Sequence, residues 1–418
     1  MSKSSNKIIN IPVAIVGAGI AGLSVSYFLN KKNIDHVVIE KGEVANTWIK
    51  ERWDNFYLVN PNWAIKIPEF GFGSSYFPSQ NPDDFLSKNQ VVNLIKSYGK
   101  YIGSNIFENE SVNSIKKYKN KYKLTTSEKI VFSKIVILAT GAFGKPHIPK
   151  ISLKINEDIY QIHSAEYKNY KQLPDGGVLV VGSGQSGAQI AEDLLNQKMD
   201  VCLAVSKCGR RPRRYRGKDS SWWNYKMGSF DKTVDDIPFD KRWKCSPHTS
   251  GANGGHEINL IDLYNNGLDL VGSVKQCLDN ELIFNNDLYK NLKFSDDFAI
   301  DWAKNVDKFI KKNNLNFPEE VISVDKRISS FKNHKIFKKL IKSNFKSIIW
   351  ATGFKYDFDW IQLDLTDKNG FPIQKRGKTI YDGFYFMGLQ WMYTSKSAQF
   401  IGVSEDAKFI VDDINSKI

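Results

Sequence analysis

Apolar positions along the chain fall into short runs that stop at small residues. Residues 11–16 are almost wholly apolar and end at Gly17, after which Leu23, Val25, Ser26 and Leu29 continue at helical spacing. Residues 178–181 are Val-Leu-Val-Val and end at Gly182, followed by Ile190, Ala191, Leu194 and Leu195. Runs this short and this apolar read as strands buried on both faces, the pattern of a parallel sheet covered by helices. The segments 36–39, 134–138, 201–205 and 347–350 repeat it. The alternation predicts an α/β fold with two dinucleotide-binding (Rossmann-like) domains.

What joins strand to helix is the same in both copies. G-A-G-I-A-G occupies residues 17–22 and G-S-G-Q-S-G residues 182–187, so the two loops stand 165 positions apart. The first glycine makes the turn, the second lets backbone approach a pyrophosphate, and the third allows close helix–strand packing. One such loop is weak evidence for a nucleotide; two in matching context are strong. Gly17, Gly19 and Gly22, and then Gly182, Ser183, Gly184, Gln185, Ser186 and Gly187, are therefore candidate cofactor contacts.

The strand that follows each loop separates the two nucleotides. The first ends in Glu40, 18 residues beyond Gly22, where a carboxylate accepts the hydroxyls of an adenosine ribose. That favours FAD or NAD(H). The second has no acid at its end and runs into Ser206, Lys207, Arg210, Arg211, Arg213, Arg214 and Arg216. Guanidinium forks match a 2′-phosphate, which favours NADP(H); the alternative for this run is a solvated basic loop.

Two strands end in Ala-Thr-Gly, giving Thr140 and Gly141 after the first loop and Thr352 and Gly353 after the second. The expected organisation is a first part of the FAD domain at 1–154, an NADPH domain inserted at 155–340, and the remainder of the FAD domain at 341–418. A strand before Gly388 would close the first sheet, and a last helix over about 397–414 would aim its N-terminus at the flavin. A basic and aromatic insertion at about 210–263, with Trp222, Trp223, Tyr225, Phe230 and Trp243, is a candidate cap over a substrate pocket.

Composition narrows the setting. The formal charge of +14 comes mostly from lysines scattered among asparagines, which is poor material for a nucleic-acid groove. A nucleic-acid partner is not expected. Cys202, Cys208, Cys245 and Cys277 form no C-x-x-C and no metal spacing, so no metal is expected and a reducing cytoplasm is the simplest home. No run of about 18 apolar residues is present, and no membrane anchor is expected.

The chain resembles the class B flavin-dependent monooxygenases, the group of the YUCCA and flavin-containing enzymes. Within it, the chain is most similar to a bacterial branch of putative cation-transport flavoproteins and flavin-dependent oxidoreductases of nitrilase gene clusters. The likeness rests on R-W-D-N-F-Y-L-V-N-P-N-W at 52–63, Q-I-H-S-A-E-Y at 161–167, V-V-G-S-G-Q-S-G at 180–187, R-R-Y-R-G at 213–217 and G-L-Q-W at 388–391. It implies FAD on the first domain, NADPH on the second, and oxygenation of a small molecule by dioxygen through a C4a-peroxyflavin. It also implies that Thr47 and Trp48 lie beside the flavin, that Val112 contacts adenine through its main chain, and that Ser206 and Lys207 hold the 2′-phosphate, with Arg213 or Arg214 sharing it. Ile159 and Glu157 stand where the family's fingerprint has glycine and an aromatic, and Ala45-Asn46 where it has Gly-Gly. Flavin binding thus rests on more residues than oxygenation does.

A flavin supplies the redox chemistry, so few catalytic side chains are demanded. Asn60 and Asn62 are candidates for hydrogen-bonding the reacting oxygen or substrate, or else form an Asn-Pro-Asn turn. His163 is a candidate base, or else makes a structural hydrogen bond. A flavin reductase or oxidase that uses NADPH without inserting oxygen is the alternative function.

Overall fold

The computed structural model describes residues 7–278, 281–333 and 345–418. Among these, eight strands form a first sheet whose spine is parallel. Asn105–Phe107, His36–Ile39, Lys7–Val16 and Lys129–Leu138 lie side by side in that order, with Val16 opposite Ile39 on one flank and Leu138 on the other. Lys121–Thr126 and Val112–Tyr118 extend the sheet antiparallel, Ile361–Gln362 closes that edge, and Phe384–Phe386 pairs with the end of Lys129–Leu138. The last four residues of Lys7–Val16 are fully buried, as expected for a strand covered on both faces.

Local signals set the helices that cover this sheet. Ser87 and Gln90 form a reciprocal capping box at the start of Lys88–Ile102, and Gly103 ends that helix in the left-handed region at φ 66°. Ile20–Lys31 packs against Val403–Asn415, which buries Val403, Ala407, Ile410, Val411 and Ile414. The last helix therefore starts later than the expected residue 397. Ser397 is occupied instead in a turn, its hydroxyl accepting from the backbone N–H groups of Tyr393 and Thr394 at 3.1 and 3.0 Å.

The second sheet has five parallel strands in the order Asp269–Val271, Val201–Ala204, Gly177–Val181, Phe345–Trp350 and Tyr160–His163. This corrects the expected organisation. The boundary at 340–341 lies outside the described residues, but Phe345–Trp350, placed by the sequence reading in the returning FAD segment, belongs to the second sheet. The physical reason is the Ala-Thr-Gly turn after it, which abuts its own glycine loop: a side chain at Gly182 would meet the Ala351 carbonyl oxygen at 2.7 Å.

Part of the insertion carries a core of its own. Trp223 is fully buried, donates from Nε1 to the Tyr215 carbonyl at 2.8 Å, and joins Tyr215, Trp302, Val306 and Ile310 in a small core of its own. Trp222 packs at its edge. These rings hold the insertion to the helix Leu288–Lys312, while Tyr225 meets Trp63 at 5.6 Å, Trp243 meets Tyr356 at 6.4 Å and the Cα of Gly251 abuts the Leu58 carbonyl and Phe85.

Candidate active site

Each sheet reverses its strand order beside a glycine loop, and the crevice at such a point is where an open α/β sheet binds ligands. The loops obey the same steric logic. Gly17 and Gly182 have φ of 109° and 97°, open in practice only to glycine, and the Cα of Gly22 and of Gly187 each press on the carbonyl of the loop's first glycine. Both helices, Ile20–Lys31 and Gln185–Asn196, begin without a side-chain cap and without an acid in the first turn. Their leading N–H groups are thus free to meet a phosphate.

The first loop opens onto a cavity of about 410 Å³. Gly17, Gly19, Glu40, Thr47 and Trp48 line it, as do Val112, Thr140, Gly141 and Gly388. These expected contacts, scattered over 372 positions of sequence from Gly17 to Gly388, meet in one place. Gly22 is absent from the lining because its part is steric. Glu40 is buried, and its two oxygens accept from the backbone N–H of Ala18 at 2.7 Å and of Gly42 at 3.1 Å. Each oxygen keeps a further lone pair for a ribose hydroxyl. The uncapped helix start, the glycine turn and this carboxylate fit an FAD adenosine and pyrophosphate.

The far wall of the cavity was not foreseen. Glu51, Arg52, Phe143, Tyr356, Trp360 and Phe400 line it. The Arg52 guanidinium lies 5.4 Å from the Trp48 ring centre and 5.3 Å from that of Phe143, and donates to the Glu51 carbonyl at 2.9 Å. Burial lowers the Arg52 pKa, and burial raises that of Glu51, whose Oε2 has no partner. The string beginning at Arg52 carries the family likeness, so the signal was present without a role attached. Ala45 adopts the left-handed conformation at φ 69°, a backbone region that favours glycine.

The second loop meets protein. Ser183 is buried and clasps Ser206, its hydroxyl donating to the Ser206 carbonyl at 3.1 Å and accepting from the Ser206 N–H at 2.9 Å. His248 bonds the Ser183 carbonyl through Nε2 at 2.6 Å, and Gln185 and Gln189 both donate to the Thr249 carbonyl. Lys207 is exposed, with Nζ 4.5 Å from the Phe294 ring centre. Arg214 is exposed and caps the carbonyls of Gly254 and Gly255. Arg213, a candidate for the 2′-phosphate, is buried instead: Nε pairs with Asp219 at 2.7 Å and Nη1 donates to the Val59 carbonyl at 2.9 Å.

Of the catalytic candidates, none lines the cavity. Asn60 donates to Gln399 at 3.5 Å, one residue from the cavity wall at Phe400. Asn62 is fully buried at the start of a short 3-10 turn, donates to the Asn81 carbonyl at 2.9 Å, and leaves Oδ1 unpartnered. His163 ends a strand of the second sheet with both nitrogens engaged. Its Nδ1 accepts from the Ala165 N–H at 3.1 Å, which leaves the proton on Nε2 to be donated to the Gly353 carbonyl at 3.0 Å. Burial lowers its pKa, in keeping with a neutral ring that ties the second Ala-Thr-Gly turn to its neighbouring strand.

No group of His, Cys, Asp or Glu side chains suited to a metal ion, and no helix long and apolar enough to cross a membrane, occurs among the described residues. The pyridine nucleotide-disulphide oxidoreductase family profile matches residues 14–224, which include both glycine loops. An uncharacterised oxidoreductase, CzcO-like, from Geobacillus kaustophilus is 28% identical over 407 residues, covering 97% of this chain and 98% of its own. The probable indole-3-pyruvate monooxygenase YUCCA10 of Arabidopsis thaliana is 32% identical over 216 residues, 50% of this chain and 54% of its own. Among solved structures, a flavin-containing monooxygenase from Stenotrophomonas maltophilia superposes with a TM-score of 0.65 at 16% identity, covering 98% of this chain and 99% of that one.

Proposed function

The chain belongs to the pyridine nucleotide-disulphide oxidoreductase family, and we propose, from its likeness to class B flavin-dependent monooxygenases, that this FAD- and NADP-dependent oxidoreductase is a cytoplasmic monooxygenase that oxygenates a small molecule with dioxygen. The observation that carries the reading is the cavity at the first glycine loop, where the expected FAD contacts converge. In the proposed division, residues 1–154 and the segment after the second Ala-Thr-Gly turn hold FAD. The intervening residues, up to about that turn, hold NADPH.

Bound there, FAD supplies the hydride acceptor and the reaction with dioxygen. The rest falls to the protein. Glu40 orients the adenosine, and the N–H groups after Gly17 and Gly19 meet the pyrophosphate. Trp48, Phe143, Tyr356 and Phe400 surround the other end with apolar surface that keeps water away. Asn60, which bonds Gln399 beside the cavity wall without lining the cavity, is the amide proposed to hydrogen-bond a reacting group. Ser206, Lys207 and Arg214 offer donors to the 2′-phosphate, which a carboxylate in that position would repel.

The test supplies NADPH and labelled dioxygen to FAD-loaded protein with a thioether such as methyl p-tolyl sulfide. Label in the sulfoxide, in step with NADPH consumed, is the expected result. Hydrogen peroxide equal to the NADPH consumed, with unlabelled thioether recovered, would replace the monooxygenase by the reductase or oxidase alternative.

A further inference from the structure

Two of the four cysteines sit beside the second glycine loop, in segments that run alongside each other. A parallel bridge pairs Arg210 with His248, whose N–H donates to the Gly209 carbonyl at 2.9 Å. Earlier in the same register, the Cys208 sulfur lies 3.4 Å from the Ser246 carbonyl oxygen, and the Cys245 sulfur 3.8 Å from that of Lys207. Each thiol reaches across to the other's segment, and the Cys208 thiol donates to the Cys245 sulfur. Cys202 and Cys277 are buried in the strands Val201–Ala204 and Val274–Leu278.

The two neighbouring thiols are unlike. Cys245 is exposed and Cys208 is buried. The hydrogen bond between them lowers the pKa of Cys245, which accepts it, and raises that of Cys208, which gives it. An accessible thiol that ionises early, next to a second one that keeps its proton, is the arrangement of an oxidation site with its own resolving partner. The Cys245 thiolate attacks a hydroperoxide and breaks the O–O bond. Its sulfur is oxidised to a sulfenic acid, and the other oxygen takes a proton from solvent and leaves as alcohol or water. The Cys208 sulfur then attacks the Cys245 sulfur and forms the S–S bond, while the sulfenic hydroxyl leaves as water with the Cys208 proton. The two sulfurs have lost two electrons, which a dithiol returns by exchange.

The place of the pair gives this chemistry a consequence. A Cβ built on Gly184 would meet the Cβ of Cys245 at 3.9 Å and, among the described residues, no other atom within 4 Å. Gly184 is the second glycine of its loop, the one that lets backbone approach a pyrophosphate. From Cys245 the segment continues across the loop, with His248 on the Ser183 carbonyl and the Thr249 carbonyl taking Gln185 and Gln189. A dinucleotide reaching Gly184 must share that space with Cys245 or displace it. In the dithiol form the Cys245 end is held by long thiol contacts, and a thiol is a weak donor. A disulfide would hold it covalently.

We propose that Cys208 and Cys245 form a reversible disulfide that pins residues 245–249 over the second glycine loop, so that a hydroperoxide slows the use of NADPH. The inference rests on the reading of that loop as the NADPH site. Transient pairing of this kind is the form disulfides take in a reducing compartment. The test treats FAD-loaded protein with hydrogen peroxide, removes the excess, and compares the product before and after dithiothreitol. Peptide mass spectrometry maps the cysteines, amide exchange follows residues 245–249, and anaerobic flavin reduction gives the NADPH half-saturation.

The expected product is a peptide pair joined through Cys208 and Cys245, lighter by the thiol hydrogens, with slower exchange at residues 245–249. The NADPH half-saturation is expected to rise about tenfold, as it does when the competent fraction falls to about a tenth, and dithiothreitol is expected to restore it. C245S is expected to keep the half-saturation of the dithiol parent after the same treatment. Oxidation that stops at Cys245 without a joined pair would overturn the proposal. So would a joined pair with unchanged half-saturation, or a C245S protein that loses NADPH affinity as the parent does. If C245S does not fold, the parent before and after dithiothreitol decides. A dithiol protein whose flavin NADPH does not reduce is a failure of the cofactor reading, and the joined peptide and the exchange rates then decide whether the pair pins the segment.

Discussion

At the first glycine turn the helix beginning at Ile20 looks onto a cavity of about 410 Å³, whereas at the second the helix beginning at Gln185 looks onto the protein's own chain at Cys245 to Thr249. The backbone rules are shared: positive φ at Gly17 and Gly182, and an Ala-Thr-Gly turn against each. The furnishings differ. Glu40 faces the first turn with a carboxylate, and Ser206 meets the second through its backbone, with the exposed Lys207 after it. One supersecondary unit, used twice, gives a cavity at the first turn and, at the second, a turn covered by residues 245–249. The specificity of each lies at the end of the following strand, outside the glycines.

The sharpest way to break this comparison is to damage each turn in the same way. In G17A the new methyl is forced into the Ala139 carbonyl at a φ of 109°, and in G182A it comes within 2.7 Å of the Ala351 oxygen at 97°. Each conflict is worth about 1–3 kcal/mol of backbone strain before any contact is counted. G17A is expected to purify without flavin absorbance. G182A is expected to stay yellow and to lose NADPH-driven flavin reduction by about tenfold or more. Absorbance spectra and anaerobic stopped-flow reduction check both, and loss of flavin from both variants alike would remove the division of labour.

A smaller effect tests the furnishings. E40A removes the acceptor for ribose hydroxyls and leaves the N–H groups of Ala18 and Gly42 without their partner. FAD affinity is expected to fall by about 1.5–3 kcal/mol, which flavin released on dilution measures. K207A is expected to raise the half-saturation for NADPH by about tenfold relative to NADH. Equal change for both nucleotides would move the phosphate elsewhere.

How much of this was legible depended on whether a residue acts through its backbone or its surroundings. Gly17, Gly182 and the Ala-Thr-Gly turns could be read because a φ near 100° leaves so few choices of side chain. Glu40 could be read because the strand before it fixes where its carboxylate lies. Arg213 misled, since a guanidinium in a basic run looks the same whether it meets a phosphate or a buried Asp219, and only the fold brings Asp219 beside it. Phe345–Trp350 misled for a related reason: an apolar run does not say which sheet receives it, and the partner is set by the turn that follows. His163 shows the same gap, its neighbours Ala165 and Gly353 being 2 and 190 positions away. H163A is expected to lower stability by about 1–3 kcal/mol for the polar groups it strands. Flavin reduction in that variant should stay close to the parent's, and a large loss of rate in a fully folded protein would return His163 to the list of bases.

The smallest expected effect concerns pH and the helix that closes the first site. Asp406 lies in the first turn of Val403–Asn415, is 3% exposed, and keeps one oxygen unpartnered. Burial raises its pKa from 3.8 to about 6, against the lowering effects of Ser397 and Arg376. The sign follows from which state ionises first. Above pH 3.8 the unfolded chain releases this proton while the folded one holds it until about 6, so the group's contribution falls as pH rises through that window and stays low above it. D406N, neutral at every pH, is expected to be more stable than the parent by about 1–2 kcal/mol at pH 7–8, less than the full shift of about two units implies because Arg376 loses its partner. The gain should shrink toward zero near pH 4. Urea midpoints of the two proteins across pH 4–8 measure the difference, and a constant offset at all pH values would mean that Asp406 is ionised throughout and that the last helix meets the flavin domain with its charge intact.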